Sequence, residues 1–128
     1  MRAALMIPLA LLCVACGDDP AVAVLAVPPA SEAELQILAR DPAVVALGKR
    51  LYETGKGYCT TCHGFTGGGT QQGVTLNDAT FIHGSGYADI VRVIHDGVPG
   101  TGMQSWKAAF TRDELHAVAL YVRSLSAR

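Results

Sequence analysis

Cys59, Cys62 and His63 form a C-x-x-C-H pattern in the middle of the chain. Two thiols spaced three residues apart lie on one side of a helical turn. Both can then form thioether bonds to the two vinyl groups of one haem. The histidine that follows lies under the iron, where a ring nitrogen can serve as the proximal ligand. The pattern therefore predicts one covalently attached haem c with its iron.

A bare C-x-x-C pair also occurs in thioredoxin-like redox sites and in zinc sites. Neither kind of site requires a histidine directly after the second cysteine. A zinc site also needs a second pair of ligands. The sequence contains no H-x-x-x-H, and its other C-x-x-C, from Cys13 to Cys16, lies at the end of the apolar N-terminal segment. Haem attachment is the interpretation that uses all three residues.

Residues 1–15 have the pattern of a secretory signal peptide. Arg2 gives a short positive start, and residues 3–14 are almost continuously apolar but too short to span a bilayer comfortably. Small residues lead up to Cys16, as in a bacterial lipoprotein signal, where Cys16 would be lipidated and become the first mature residue. Ordinary cleavage near Ala15 is the alternative.

Export agrees with the haem prediction, since thioether attachment in bacteria takes place outside the cytoplasm. Cys13 would leave with the signal and Cys16 would be acylated, so we expect no disulfide among the four cysteines. The expected location is the periplasm, with a lipoprotein anchor at Cys16. Several acyl chains there would hold the protein stably at a membrane.

The chain after the signal divides by composition. Residues 16–40 are rich in Ala, Val and Pro and predict a flexible tether, with a short helix near residues 32–39 that Ser31 and Glu34 would cap. Residues 41–128 are expected to form one domain. The formal net charge of −1 argues against nucleic-acid binding, which requires a basic face.

Hydrophobic periodicity predicts helices and no strand in residues 41–128. Asp41-Pro42 is typical of a helix start, and apolar side chains recur at helical spacing as far as Tyr52. A short helix is expected at residues 87–96, and a capping box at residues 111–114 opens a last helix. The fold class is therefore all-α, and a buried haem would supply much of the core of so small a domain.

Met103 is the candidate for the second axial ligand. Met1 and Met6 lie in the predicted signal, so Met103 is the one methionine expected in the mature protein. It lies on a Gly/Pro loop between two predicted helices, and its thioether would favour ferrous iron and raise the reduction potential. Three histidines, with surface or capping roles by default, are the alternative ligands: His83, His95 and His116.

Several flanking segments carry a resemblance to a known family. Gly48 and Tyr52 lie before the haem motif, in a segment that resembles the N-terminal helix of that family. In the family this helix crosses a C-terminal helix closely at an aromatic residue, here Tyr121. Residues 76–85 resemble the central segment of the haem subunit of cbb3-type oxidases, and residues 97–106 resemble its Met-bearing loop. Together these features resemble a class I, single-haem cytochrome c domain, which implies three to four helices wrapped around one haem.

The sequence departs from that family at several points. Gln104 follows the methionine, where Pro is common. No proline occurs between His63 and Pro99, although a proline carbonyl often fixes the haem histidine in this family, so the sequence names no partner for the His63 ring. The oxidase subunit carries two haem domains and a transmembrane helix. One haem motif here favours a stand-alone carrier.

We therefore expect a monomeric one-electron carrier, not itself an enzyme, that serves redox protein partners of the respiratory chain: an oxidase, a reductase or a dehydrogenase. Two alternatives stay open. An open-site haem protein would bind gases or react with peroxide, and a fixed electron-entry subunit would stay attached to a dehydrogenase or oxidase. Apolar side chains expected to exclude water are Leu76, Val91, Ile94 and Phe110. Candidate propionate donors are Tyr58, Gln71, Asn77 and Trp106.

Overall fold

The computed structural model describes residues 32–126, and helices joined by loops make up this part of the chain. It holds five helices and no strand, which confirms the predicted all-α class. The predicted signal peptide, Cys16 and Ser31 lie outside the described residues. The helices are α1 (Glu32–Leu38), α2 (Pro42–Glu53), α3 (Thr60–His63), α4 (Tyr87–Asp96) and α5 (Arg112–Leu125).

Two helix starts predicted from capping residues are present. The Asp41 carboxylate accepts a hydrogen bond from the backbone N–H of Ala43 at 2.9 Å, and Pro42 occupies the first turn of α2. At α5, Thr111 and Glu114 form the reciprocal capping box. These caps satisfy N–H groups that have no partner within the helix. The short helix α4 matches its predicted bounds at both ends.

Helix α1 corresponds to the helix expected near the end of the tether. Its Leu35 and Leu38 are buried against Val44 of α2 and against Ala117 and Leu120 of α5. The predicted domain boundary at residue 40 stays a prediction, and α1, which precedes that boundary, packs on the helices that follow it. In the described part of the chain, no helix is long and apolar enough to cross a membrane.

Helix α2 crosses α5 closely at Gly48. A Cβ atom at this position would lie 2.8 Å from the Cβ of Tyr121 and would overlap the backbone carbonyl of Ala117. Beside this crossing the rings of Tyr52 and Tyr121 pack at a centroid distance of 5.4 Å. The close approach of the two helices explains the glycine, as the resemblance to the cytochrome c family implied.

The main core lies between α2, α4 and α5. Of the eight buried residues of helix α5, six belong to this core, among them Val118 and Leu125. Of the side chains expected to exclude water, Ile94 and Phe110 are buried in this core, while Leu76 and Val91 are partly buried and pack against it. The eleven buried residues of this core are called the main cluster: Leu51, Tyr52, Ile90, Ile94, Phe110, Leu115, Val118, Ala119, Tyr121, Val122 and Leu125.

Tyr87 of α4 and His116 of α5 form a hydrogen-bonded pair. The Tyr87 hydroxyl contacts Nδ1 of His116, and the two rings stack at a centroid distance of 5.8 Å. Burial, reinforced by the positive charge of Arg112, lowers the pKa of His116, and the attraction of Asp113 only partly offsets this. Burial raises the pKa of Tyr87 to about 12, so its hydroxyl keeps its proton and can donate to a neutral imidazole.

We expect acid to destabilise the protein partly through His116. Because its pKa is lowered in the folded state, the unfolded chain binds a proton below about pH 6.5 that the folded protein does not bind. The free energy of unfolding should therefore fall from about pH 7 to the folded pKa and level off below it. Urea denaturation of the haem-loaded protein across this range measures the decline.

The matched control for this prediction is His116→Gln, which removes the titrating ring and keeps a polar side chain. Its free energy of unfolding should decline less between about pH 7 and pH 5 than that of the wild type. An equal decline in both proteins would show that His116 does not contribute.

Candidate haem site

The three residues of the C-x-x-C-H pattern lie on one helical turn. Cys59 is the N-cap residue of α3, and Cys62 and His63 complete the helix. The N–H of His63 donates to the Cys59 carbonyl at 2.8 Å, which fixes the turn. Both cysteine side chains are half-buried. The arrangement therefore presents two thiols and an imidazole from one short helix, as covalent attachment of a single haem requires.

The segment before α3 directs Cys59 toward the main cluster. A Cβ atom at Gly57 would lie 2.9 Å from both the Cys59 sulfur and the Phe110 ring, so the backbone fits closely between them. Cys59 itself packs against the main cluster. Its burial raises the pKa of the Cys59 thiol to about 11, although a backbone hydrogen bond opposes this shift. A neutral, apolar thiol is the opposite of the thiolate that a thioredoxin-like site needs.

A salt bridge holds this segment to the start of α5. Nζ of Lys56 donates to both carboxylate oxygens of Glu114, at 2.9 and 2.8 Å. The same carboxylate accepts from the backbone N–H of Thr111. Burial alone would raise the pKa of Glu114, but the hydrogen bonds from Lys56 and Thr111 outweigh it and lower the pKa. The charged network thus stays formed at neutral pH.

The ring of His63 has a hydrogen-bond partner that the sequence did not name. Its Nδ1 lies 2.8 Å from the backbone carbonyl of Val74. Because a carbonyl can only accept, the proton is on Nδ1, and the lone pair of Nε2 is available to a metal. Any residue can offer a carbonyl, so no side chain marks this role in the sequence.

Tyr52 connects the core to the residue that follows His63. Its side chain is 0% exposed, and its hydroxyl donates to the carbonyl of Gly64 at 2.7 Å. Burial raises the pKa of this tyrosine well above its ordinary value, so the hydroxyl remains a donor. Helix α2 thereby fixes the C-terminal end of α3.

Met103 lies on the loop between α4 and α5, and the backbone of this loop is fixed on both sides. The Met103 carbonyl accepts from the N–H of Val98 at 2.8 Å, and the N–H of Trp106 donates to the Ile94 carbonyl at 3.1 Å. The half-buried Met103 side chain packs against the main cluster, as Cys59 does. Met103 and Cys59 thus pack against the same cluster of buried side chains.

The alternative histidine ligands are exposed or engaged elsewhere. The side chain of His83 is exposed, and that of His95 is exposed with its Nδ1 2.6 Å from an Asp96 carboxylate oxygen. His116 is bonded to Tyr87. These environments favour Met103 over each of the three histidines.

The four candidate propionate donors differ in exposure. Tyr58, Gln71 and Asn77 are exposed, while Trp106 is half-buried with its ring centroid 5.9 Å from that of Phe110. Their contact with a propionate stays a prediction.

The donor set fits a c-type haem. The site offers two thiols on one turn, an imidazole whose Nε2 is left for a metal, and a thioether at the same apolar cluster. Among residues 32–126, no group of three or more His, Cys, Asp and Glu side chains is arranged to hold a metal ion.

Residues 43–122 match the family model described as cytochrome c oxidase, cbb3-type, subunit III. The chain belongs to this family. As a class I cytochrome c domain it is a haem c electron-transfer protein, and the predicted cofactor, a covalent haem c with its iron, is confirmed.

Two relatives show the extent of the similarity. The cbb3-type cytochrome c oxidase subunit CcoP of Rubrivivax gelatinosus is 33% identical over 91 residues, which are 71% of this chain and 29% of that protein. Cytochrome c55X of Paracoccus denitrificans is 35% identical over 65 residues, which are 50% of this chain and 60% of that protein. The chain spans less than two thirds of either relative.

Solved structures share the fold. Cytochrome cL of Methylophaga aminisulfidivorans superposes with a TM-score of 0.60 at 24% identity, over 67% of this chain and 57% of that one. A chain of the reducing HAO-like protein complex of Kuenenia stuttgartiensis gives 0.59 at 26% identity, over 66% and 44%. Cytochrome cL of Hyphomicrobium denitrificans gives 0.53 at 23% identity, over 73% and 58%. The class I cytochrome c fold is thereby confirmed.

We expect Tyr52→Phe to destabilise the protein by about 1 kcal/mol, the usual net contribution of one buried hydrogen bond. The Gly64 carbonyl would lose its hydroxyl donor and keep the N–H of Gly67 at 3.2 Å. Guanidinium denaturation of the haem-loaded protein measures the loss. Tyr58→Phe is the matched control, because this ring is 64% exposed and its change should stay within about 0.5 kcal/mol. Equal losses in the two variants would contradict the assigned role of Tyr52.

Proposed function

We propose that this chain carries single electrons, with Cys59 and Cys62 holding the haem through thioether bonds and with His63 and Met103 as the axial ligands of the iron. The observation that carries this proposal is that Cys59 of the haem motif and Met103 both pack against the main cluster. Helix α3 carries the haem motif, and the hydrogen-bonded loop between α4 and α5 carries Met103.

Occupied axial positions suit electron transfer. When both ligands are protein side chains, the haem iron has no open position for a substrate and changes its oxidation state with little rearrangement. The chain contributes rigidity to this arrangement. Hydrogen bonds to the Val74 and Gly64 carbonyls fix the end of α3, and the Ile94 carbonyl fixes the methionine loop. Ile94 and Phe110 of the main cluster keep water away from the site.

Two features of the site act on the reduction potential in opposite directions. The Val74 carbonyl accepts from the His63 ring, which makes the imidazole more basic and stabilises the ferric state. The thioether of Met103 favours the ferrous state. The reduction potential of the proposed carrier would therefore depend on two opposing effects, that of the Val74 carbonyl on His63 and that of the Met103 thioether.

Redox proteins outside the cytoplasm are the proposed partners. The similarity to a protein named as an oxidase subunit supports a place in respiratory electron transfer. We propose a periplasmic location with an anchor through lipid at Cys16, on the basis of the signal pattern in residues 1–15. The protein itself would transfer electrons and catalyse no reaction of its own. The proposed carrier acts as a monomer.

We expect Met103→Ala to open the iron. In optical spectra, the ferric wild type should show the weak far-red sulfur-to-iron charge-transfer band, and the ferrous wild type should not bind carbon monoxide. The variant should lose the band and bind carbon monoxide. His95→Ala is the control and should behave like the wild type, since that side chain is exposed and paired with Asp96.

Carbon monoxide binding by the ferrous wild type, together with absence of the far-red band, would contradict the carrier proposal. It would favour gas binding or peroxide chemistry instead. A wild type that lacks the far-red band and does not bind carbon monoxide, together with a His95→Ala variant that does bind it, would assign the sixth ligand to the histidine.

A further inference from the structure

The loop that follows the haem motif folds back on α3 through three hydrogen bonds. The N–H of Gly69 donates to the His63 carbonyl at 2.9 Å, and the hydroxyl of Thr70 donates to the Cys62 carbonyl at 2.6 Å. The ring of His63 completes the set by donating to the Val74 carbonyl at 2.8 Å. The loop and the haem motif therefore hold one another in place.

Gly73 lies at the closest approach between this loop and α3. A Cβ atom on Gly73 would lie 2.6 Å from the Cys62 carbonyl oxygen, 2.8 Å from its carbonyl carbon and 2.9 Å from its Cβ. Two of these atoms belong to the backbone of a haem-attachment residue and cannot move aside without moving the motif. Gly73 does not have a positive φ, so the shortage of space is what requires glycine here.

Thr70 closes the loop around Gly73. Its N–H donates to the Gly73 carbonyl at 2.9 Å, while its hydroxyl holds the Cys62 carbonyl. The hydroxyl also accepts from the N–H of Gln72 at 3.0 Å. One side chain thus ties the haem motif to the short turn that ends one residue before Val74.

We propose that Gly73 and Thr70 are positioning residues that keep the Val74 carbonyl on Nδ1 of His63 and thereby set the reduction potential. They do so without a proline, since none occurs between His63 and Pro99. The inference rests on the proposed function in one respect, namely that His63 is an axial ligand. A longer His63–Val74 hydrogen bond makes the imidazole less basic, and the ferric state is then less stabilised.

Gly73→Ala tests this inference, with Gly68→Ala as the matched control. Both glycines lie in the same loop, and neither has a positive φ. A Cβ atom at Gly68 would make only ordinary contacts, 3.5 Å from the Thr66 hydroxyl and 3.7 Å from the Asn77 amide nitrogen. The two substitutions add the same methyl group, so they differ in whether the loop is pushed away from Cys62.

Two measurements on the haem-loaded full chain report on the hydrogen bond between the His63 ring and the Val74 carbonyl. Spectroelectrochemical titration at constant pH and ionic strength gives the midpoint potential. Proton NMR of the ferrous protein gives the resonance of the His63 ring N–H, which moves upfield as its hydrogen bond lengthens. Gly73→Ala should shift the potential to more positive values and move this resonance upfield, and Gly68→Ala should change neither.

Thr70→Val and Thr70→Ser provide a second test that does not depend on the folding of Gly73→Ala. Valine keeps the shape of threonine and removes the hydroxyl that holds the Cys62 carbonyl, whereas serine keeps the hydroxyl. Thr70→Val should shift the potential and the resonance in the same directions as Gly73→Ala, and Thr70→Ser should stay close to the wild type.

The inference is overturned if the loop variants and their controls have equal potentials and equal His63 resonances. Failure of the proposed function has a different signature. A ferrous wild type that binds carbon monoxide and a ferric form without the far-red band would remove Met103 as a ligand. In the low-spin carbon monoxide complex, the His63 resonance of Gly73→Ala would still report whether the loop holds the ring.

Discussion

The packing of α5 (Arg112–Leu125) against α2 (Pro42–Glu53) and α4 (Tyr87–Asp96) is the constraint on which the site depends. Eight residues of α5 are buried, and Gly48 lets α2 approach its backbone directly. Phe110, just before α5, contacts the segment that presents Cys59. Ile94, near the end of α4, anchors the methionine loop through its carbonyl. The three-helix core therefore positions both the segment that carries the haem motif and the loop that carries Met103.

Backbone carbonyls do much of the positioning around the haem motif. The acceptors are contributed by Val74, Gly64, Cys62 and Ile94, and their donors are a histidine ring, a tyrosine hydroxyl, a threonine hydroxyl and a backbone N–H. A carbonyl has no charge and does not titrate. These acceptors need no ionised group, whereas the contact between Tyr87 and His116, which depends on a neutral imidazole, lies between α4 and α5.

Much of the fold could be predicted because its signals are local. Capping at Asp41 and Thr111 and the bounds of α4 follow from short patterns, the helix-crossing glycine at position 48 follows from the family resemblance, and the structure contains each of them. The haem motif was readable for the same reason, since its three residues are adjacent on one turn. The family comparison confirms the cofactor that this motif predicts.

The contacts that the sequence did not predict join residues far apart in the chain. The Val74 carbonyl is chemically the same as every other carbonyl, so nothing in the sequence distinguishes it as the partner of His63. The pairing of Tyr87 with His116 depends on the relative rotation of two helices, which periodicity alone does not give. The packing of α1 on α5 was likewise not predicted, because the composition of the segment that contains α1 predicts a tether.

X-ray absorption at the iron edge of the ferric protein tests the central proposal most directly, because it reports the atoms bound to the metal. The proposal predicts one sulfur in the first coordination shell of the wild type, contributed by Met103, with the remaining ligands nitrogen. The thioether sulfurs of Cys59 and Cys62 are bonded to the haem periphery and lie outside that shell. A first shell of nitrogen and oxygen only, without sulfur, would contradict the assignment of Met103 and with it the closed, electron-carrying site.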